Sequence, residues 1–303
     1  MGRAFAHFVV LVALAPLLGL SAFHVTGSAT TSARSSVMVV THTNTASTLL
    51  GVSVATTNMY KQDTAEFGHL PIIHVFDPGL PNANAWSRGI LSEAKSAVLI
   101  SFNAKPSAIL SGADNHQLSG FFNSAPTGHP IYYNYIHEPE DNIAKGQFSA
   151  SSYLAAWAHI VALAKAAHNS DLHSTLILMS YDLRPGSHRN WRNYFAGAGV
   201  ISVLAWDGYP AGAAGGHGKL ALTPPAQFMA PGIAVSKSVG LPFGFGEFGT
   251  PLVKGRAAWL TSVGAYLKSR GALFGTLFDS APPFPSMRLT DSASIDAWRH
   301  IIS

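Results

Sequence analysis

The 303 residues include only five glutamates, Glu66, Glu93, Glu138, Glu140 and Glu247. Two of them sit where carboxyl groups do chemistry. Glu138 lies in Tyr135-Ile136-His137-Glu138-Pro139-Glu140-Asp141 and Glu247 in Gly244-Phe245-Gly246-Glu247-Phe248-Gly249, each at the end of a run of strand length. A facing carboxyl pair suits cleavage of a glycosidic bond. One carboxylic acid gives its proton to the departing oxygen, while the other, ionised, attacks the anomeric carbon; a separation of about 5 to 5.5 Å marks this retaining form. Burial and mutual repulsion would raise one of the two pKa values.

Such a pair must be positioned by elements far apart in sequence, and the hydrophobic pattern supplies them. Short apolar runs predict strands over 49–54, 72–77, 97–102, 131–137, 175–181, 201–206, 243–248 and 272–278. Helical patterns fall between them over 60–67, 83–95, 115–123, 151–168, 191–197, 226–239 and 256–269, and one closes the chain over 294–302. Eight alternating pairs over 49–303 predict a single (β/α)8 barrel, a TIM barrel. A doubly wound open sheet is the runner-up, but neither GxGxxG nor GxxxxGK[ST] follows any strand. In a barrel, chemistry gathers at the C-terminal strand ends. Strands four and seven lie three places apart around that ring, so Glu138 and Glu247 can face each other across its mouth. Glu66 and Glu93 fall on outer helices, and Glu140 and Asp141 are read as solvated loop residues.

Composition narrows the classes further. Hydrophobic residues make up 48% of the chain and charged ones 11%, with Lys+Arg 19 against Asp+Glu 15 and a net charge of +4. The charge is scattered, which argues against nucleic acid as a partner. Cysteine is absent, which excludes disulfides, thiol catalysis and cysteine-ligated metals. There are 14 histidines but no HExxH, and His74 with Asp77 alone makes no metal site, so no metal or cofactor is expected. No G-x-S-x-G elbow supports a serine hydrolase. Residues 1–29, with Arg3 followed by the apolar stretch from Phe8 to Leu20, read as a signal peptide for secretion, the alternative being an uncleaved membrane anchor. Residues 30–48 read as a Ser/Thr-rich linker. The Gly/Ala-rich insert over 210–224 reads either as a mobile rim or as a passive surface loop.

His-Glu-Pro after strand four together with Gly-Glu-Phe-Gly at strand seven resembles the retaining glycoside hydrolases of clan A, and the histidine before the glutamate points to glycoside hydrolase family 26. That resemblance implies a secreted barrel, endo-β-mannanase-like, with Glu138 as acid/base, Glu247 as nucleophile and His137 binding substrate or holding the site together. Ala205-Trp206-Asp207-Gly208-Tyr209 is similar to the family's Asp-x-Tyr region, in which the tyrosine hydrogen-bonds the nucleophile. On the residues alone, Asp207 and Tyr209 either satisfy each other or support the carboxyl pair. Trp206 and Phe248, at strand ends, are the expected sugar-stacking platforms. Strand eight ends in Leu277-Phe278-Asp279 where many clan members place a tryptophan. The partner expected is a β-linked polysaccharide or oligosaccharide, β-mannan or a related β-glycan, with no membrane contact once the signal is cleaved and the protein a monomer. The alternative is a non-catalytic polysaccharide-binding barrel derived from such a hydrolase.

Overall fold

The structure is a computed structural model that describes residues 47–213, 220–280 and 286–303. The signal peptide over 1–29, most of the linker over 30–48 and the centre of the 210–224 insert lie outside the described residues. The strands are β1 Leu49–Val54, β2 Ile72–Asp77, β3 Ala97–Phe102, β4 Ile131–Tyr135, β5 Leu172–Met179, β6 Val203–Asp207, β7 Phe243–Phe248 and β8 Phe274–Leu277. They form a closed barrel in chain order. Every pairing is parallel, and β1 joins β8 through Leu49 opposite Phe274. The described residues form a single (β/α)8 barrel.

Side chains alternate along each strand, so each strand feeds two cores. Ile72, Leu99, Tyr132, Ile177, Val203, Ala205 and Phe274 fill the barrel interior. Their strand neighbours, such as Ile73, Ile100, Tyr133, Leu204 and Phe245, pack outward under the helices. Buried on both sides, the strands are apolar almost throughout, as parallel strands must be. Polar exceptions at inward positions include His74, Ser101 and Asn134, each 2% exposed or less, and Thr175, Asp207 and Thr276 share that parity on β5, β6 and β8.

The outer layer contains α1 Thr57–Phe67, α2 Gly89–Glu93, α3 Pro106–Leu110, α4 Asn115–Asn123, α5 Glu140–Ala144, α6 Ala150–Ala166, α7 Pro225–Ser238, α8 Arg256–Arg270 and α9 Ser292–Ile302. Local chemistry fixes several starts: Thr56 Oγ1 accepts from the Met59 N–H, Ser149 Oγ from Ser152 and Asp291 Oδ1 from Ser294. The ends of β5, β6, β8 and several helices shift by one to three residues from expectation, and three further expectations change. The helix expected over 83–95 is a 3-10 turn, Ala85–Ser87, then α2, because Arg88 is extended and Gly89 has φ 54°. The segment 191–197 forms only the 3-10 turn Trp191–Tyr194. β4 stops at Tyr135 instead of 137, because Ile136 and Glu138 adopt φ 55° and 49°. α3 and α5, too short to show a period, had no sequence signal.

Candidate active site

The turn that ends β4 builds one wall of the barrel mouth. The Ile136 N–H bonds the Phe102 carbonyl at 2.8 Å, which holds the turn to β3. A β-branched residue at positive φ is sterically costly, and such strain persists where the surroundings over-determine it. Here it lifts His137 and Glu138 out of the strand's alternation and brings both to the mouth.

The opposite wall depends on an irregularity between β6 and β7. Register shifts between Trp206 and Asp207 and again between Phe245 and Phe248. Regular alternation from the outward Phe245 would send Glu247 outward and Phe248 inward. The bulge inverts this: Phe248 packs on Trp298 of α9 with ring centroids 5.7 Å apart, and Glu247 enters the mouth beside Asp207. Gly246 makes room, since a Cβ there would lie 2.8 Å from Asp207 Oδ1. The Gly208 N–H bonds the Glu247 carbonyl at 2.9 Å, and the Tyr209 hydroxyl donates to Glu247 Oε2.

His137 joins the two walls. Its Nε2 lies 2.8 Å from Asp207 Oδ2 and 3.3 Å from Glu247 Oε1, a charge contact shared between two carboxylates rather than one aligned hydrogen bond. Burial opposes ionisation of the imidazole, but Asp207 and Glu247 override it and hold its pKa well above the ordinary value. Burial, then Asp207 and Glu247, push the Glu138 carboxyl well above the usual carboxylate range, with His137 opposing. Asp207, fully enclosed, is raised to about 7, chiefly by desolvation. The mouth therefore holds a carboxyl group driven to keep its proton, Glu138, near Glu247, whose Oε2 accepts from a phenol. That is the division of labour a double displacement needs.

A chain of hydrogen bonds runs beneath His137. His74 Nδ1 is 3.0 Å from the Gly246 carbonyl, so it carries the proton, and Nε2 accepts from the Ser101 hydroxyl at 2.8 Å. Ser101 Oγ accepts in turn from Asn134 Nδ2 at 3.0 Å and from His137 Nδ1 at 3.4 Å. Burial and the neighbouring His137 push the His74 pKa well below its ordinary value, which keeps it neutral and fits its role as acceptor. These three residues were missed as support for the site. The available signal was a polar residue at an inward position of an otherwise apolar strand.

The structure thus brings Glu138, Glu247, His137, Asp207 and Tyr209 together. It does not bring Trp206 or Phe248 to them. Both are completely buried and lie on the outward parity of their strands; the Trp206 indole donates to Ser236 Oγ of α7 at 3.0 Å. The stacking role expected of them is corrected, since a strand end is not the same as a face. Glu140 is corrected too: it is buried, and its Oε1 accepts from the Met179 N–H at 2.7 Å. Burial, then Asp182 nearby, raises its pKa to about 8. Asp141 remains half exposed, paired with Arg189 and Lys145.

Among the described residues, two clusters have the donor types of a metal site. Ligand atoms of His137, Asp207 and Glu247 lie within 4.8 Å of one another, as do those of Asp63, Glu66 and Asp279. In the first the imidazole is driven to bind a proton on the nitrogen a metal would need. In the second Arg288 already sits 2.9 Å from Asp63, 3.4 Å from Glu66 and 3.6 Å from Asp279. Neither donor set fits a resident cation well.

No family model and no curated protein matches the sequence. Solved structures do match. A modular endo-β-1,4-mannanase of glycoside hydrolase family 26 from Cellulomonas fimi superposes with a TM-score of 0.57 at 12% identity, over 84% of this chain and 70% of that one. The GH26 domain of an endo-β-mannanase/endo-β-glucanase from Prevotella bryantii gives 0.56 at 11%, over 85% and 89%. A GH128 (subgroup I) endo-β-1,3-glucanase from Amycolatopsis mediterranei, solved with laminaripentaose, gives 0.53 at 14%, over 83% and 98%. At these identities the likeness is one of fold: the chain has the barrel that these glycoside hydrolases share.

Proposed function

We propose that the protein is a secreted, retaining glycoside hydrolase that cleaves a β-linked polysaccharide, β-mannan or a related β-glycan, by double displacement. The observation that carries the proposal is the set of groups around His137: Glu247, held by Tyr209 and His137, and Glu138, whose carboxyl is pushed toward its protonated form. In the first step the Glu247 carboxylate bonds to the anomeric carbon as the glycosidic C–O bond breaks, and the Glu138 proton passes to the leaving oxygen. In the second, Glu138 as carboxylate takes a proton from water, whose oxygen attacks the anomeric carbon and releases Glu247. His137 as imidazolium and the Tyr209 hydroxyl orient Glu247 and offset its charge, and Asp207 balances the imidazolium.

The barrels with which the chain shares its fold include mannanases and β-1,3- and β-1,4-glucanases, which supports a β-glycan as substrate. The leader-like 1–29 segment supports export, and such a polymer would be met outside the cell. The stereochemistry of the first product tests the mechanism. Proton NMR of a β-glycan digest should show the β-anomer of the new reducing end first, with the α-anomer appearing only by mutarotation. An α-anomer formed first would mean inversion and would remove Glu247 from the nucleophile role.

A further inference from the structure

The mouth needs an apolar surface as well as its polar groups, because the C–H face of a pyranose packs on an aromatic ring while its hydroxyls seek polar partners. With Trp206 and Phe248 turned outward, strand parity shows what replaces them. On β2, Ile72 lies in the barrel interior, so His74 and Phe76 above it share the inward face. Phe76 occupies the upper layer of that face and is one of the two residues of β2 not fully buried. Its ring lies over His74, with centroids 4.0 Å apart and planes 33° apart. It meets His137 edge to face, at 5.2 Å and 85°. The ring is thus only partly buried, with His74 against one side and His137, which contacts Glu247, at its flank.

We propose that Phe76 is the sugar-stacking residue of this site, its ring receiving the apolar face of the pyranose next to the Glu138 and Glu247 carboxyl groups. This rests on the glycoside reading and deepens it, moving the aromatic wall from the β6 and β7 ends to β2. A hexopyranose with a continuous axial C–H face, as in β-glucan, suits a flat ring. Such a contact contributes to binding in ground state and transition state alike, so its loss appears mainly in KM.

The experiment compares wild type with Phe76→Ala and Phe76→Tyr for turnover of laminarin, barley mixed-linkage glucan and β-1,4-mannan. In parallel, saturation-transfer NMR measures binding of laminari- and manno-oligosaccharides. Removing the ring should raise KM about tenfold, the fold-change expected for loss of part of a buried aromatic contact. Phe76→Tyr should stay within about twofold of wild type, and the pH dependence of kcat should be the same in all three. An unchanged KM in Phe76→Ala would overturn the inference and leave the hydrolase reading standing. So would a loss of kcat with a displaced pH profile, because the ring would then be acting through His137. Oligosaccharide binding that needs Phe76, without turnover of any glycan, would keep the inference and overturn the hydrolase reading. Absence of both binding and turnover in the wild type would overturn both.

Discussion

His74 and His137 stand with ring centroids 5.5 Å apart, joined through the single hydroxyl of Ser101, yet their environments drive them to opposite charge states. His74 is enclosed with a backbone carbonyl and a hydroxyl and stays neutral; His137 meets two carboxylates and holds a second proton. Neutral His74 accepts from Ser101, so Ser101 can accept from His137. Charged His137 then presents its Nε2 proton between Asp207 and Glu247. Each protonation state fixes the next, which is how a buried polar network specifies one geometry.

Ser101→Ala removes the acceptor that favours the charged form of His137. The prediction is a fall of about tenfold in kcat, the scale of one lost hydrogen bond to a charged group, with the alkaline limb of the pH profile moved to lower pH. Ser101→Thr keeps the hydroxyl and should restore both. A pH profile of kcat for the three proteins checks this.

Glu247→Ala should abolish turnover, by a factor on the order of a thousand or more, without loss of the fold. Added azide should restore cleavage and release an α-glycosyl azide from a β-glycoside, because the small anion attacks from the space the carboxylate left. The product is identified by mass spectrometry and NMR.

Glu138→Ala should discriminate between leaving groups. Aryl glycosides with acidic phenols need little protonation and should be attacked at nearly the wild-type rate in the first step, whereas polymer cleavage should fall by at least about a hundredfold. Equal losses on both substrates would remove Glu138 from the acid/base role.

Glu140 bears on stability rather than chemistry. Its pKa rises from 4.5 in the unfolded chain to about 8 in the folded one, chiefly through burial. The folded state thus holds a proton that the unfolded state has released, and stability falls as pH rises from about 4.5 through 8. His137, also raised, works in the same direction above its ordinary value. Glu140→Gln should flatten the decline in melting temperature across this window by a few degrees, read by calorimetry at pH 5 and pH 8.

Trp206→Ala should cost about 3–5 kcal/mol of stability, as for other large buried aromatics, since the indole fills the space against Gly232 and Ser236. Below the melting transition its KM should equal that of wild type, which a platform residue would not allow.

The alternation of apolar runs was enough to read the barrel from the sequence, and β1, β2, β3 and β7 have the bounds their apolar patterns predict. The carboxyl pair was legible because so few glutamates exist and two fall at strand ends. Which way a side chain faces was legible only where alternation is regular. Phe248 and Glu247 exchange faces at a bulge that leaves no trace in composition, and the turn after β4 depends on positive φ at Ile136, a residue type that gives no hint of it. Glu140 reads as a loop carboxylate until the neighbouring strand closes over it. His74, Ser101 and Asn134 are visible as polar residues in apolar strands, but their connection to one another spans β2, β3 and β4 and exists only once the barrel is closed.

The most direct test of the carboxyl pair is release of reducing ends from β-mannan, laminarin and mixed-linkage glucan by the wild type and by Glu138→Gln and Glu247→Gln. Cleavage of at least one of these by the wild type, lost in both variants while their melting temperatures stay near the wild-type value, is the predicted result. Cleavage that survives in either folded variant, or a wild type that binds these glycans and cleaves none, would contradict it.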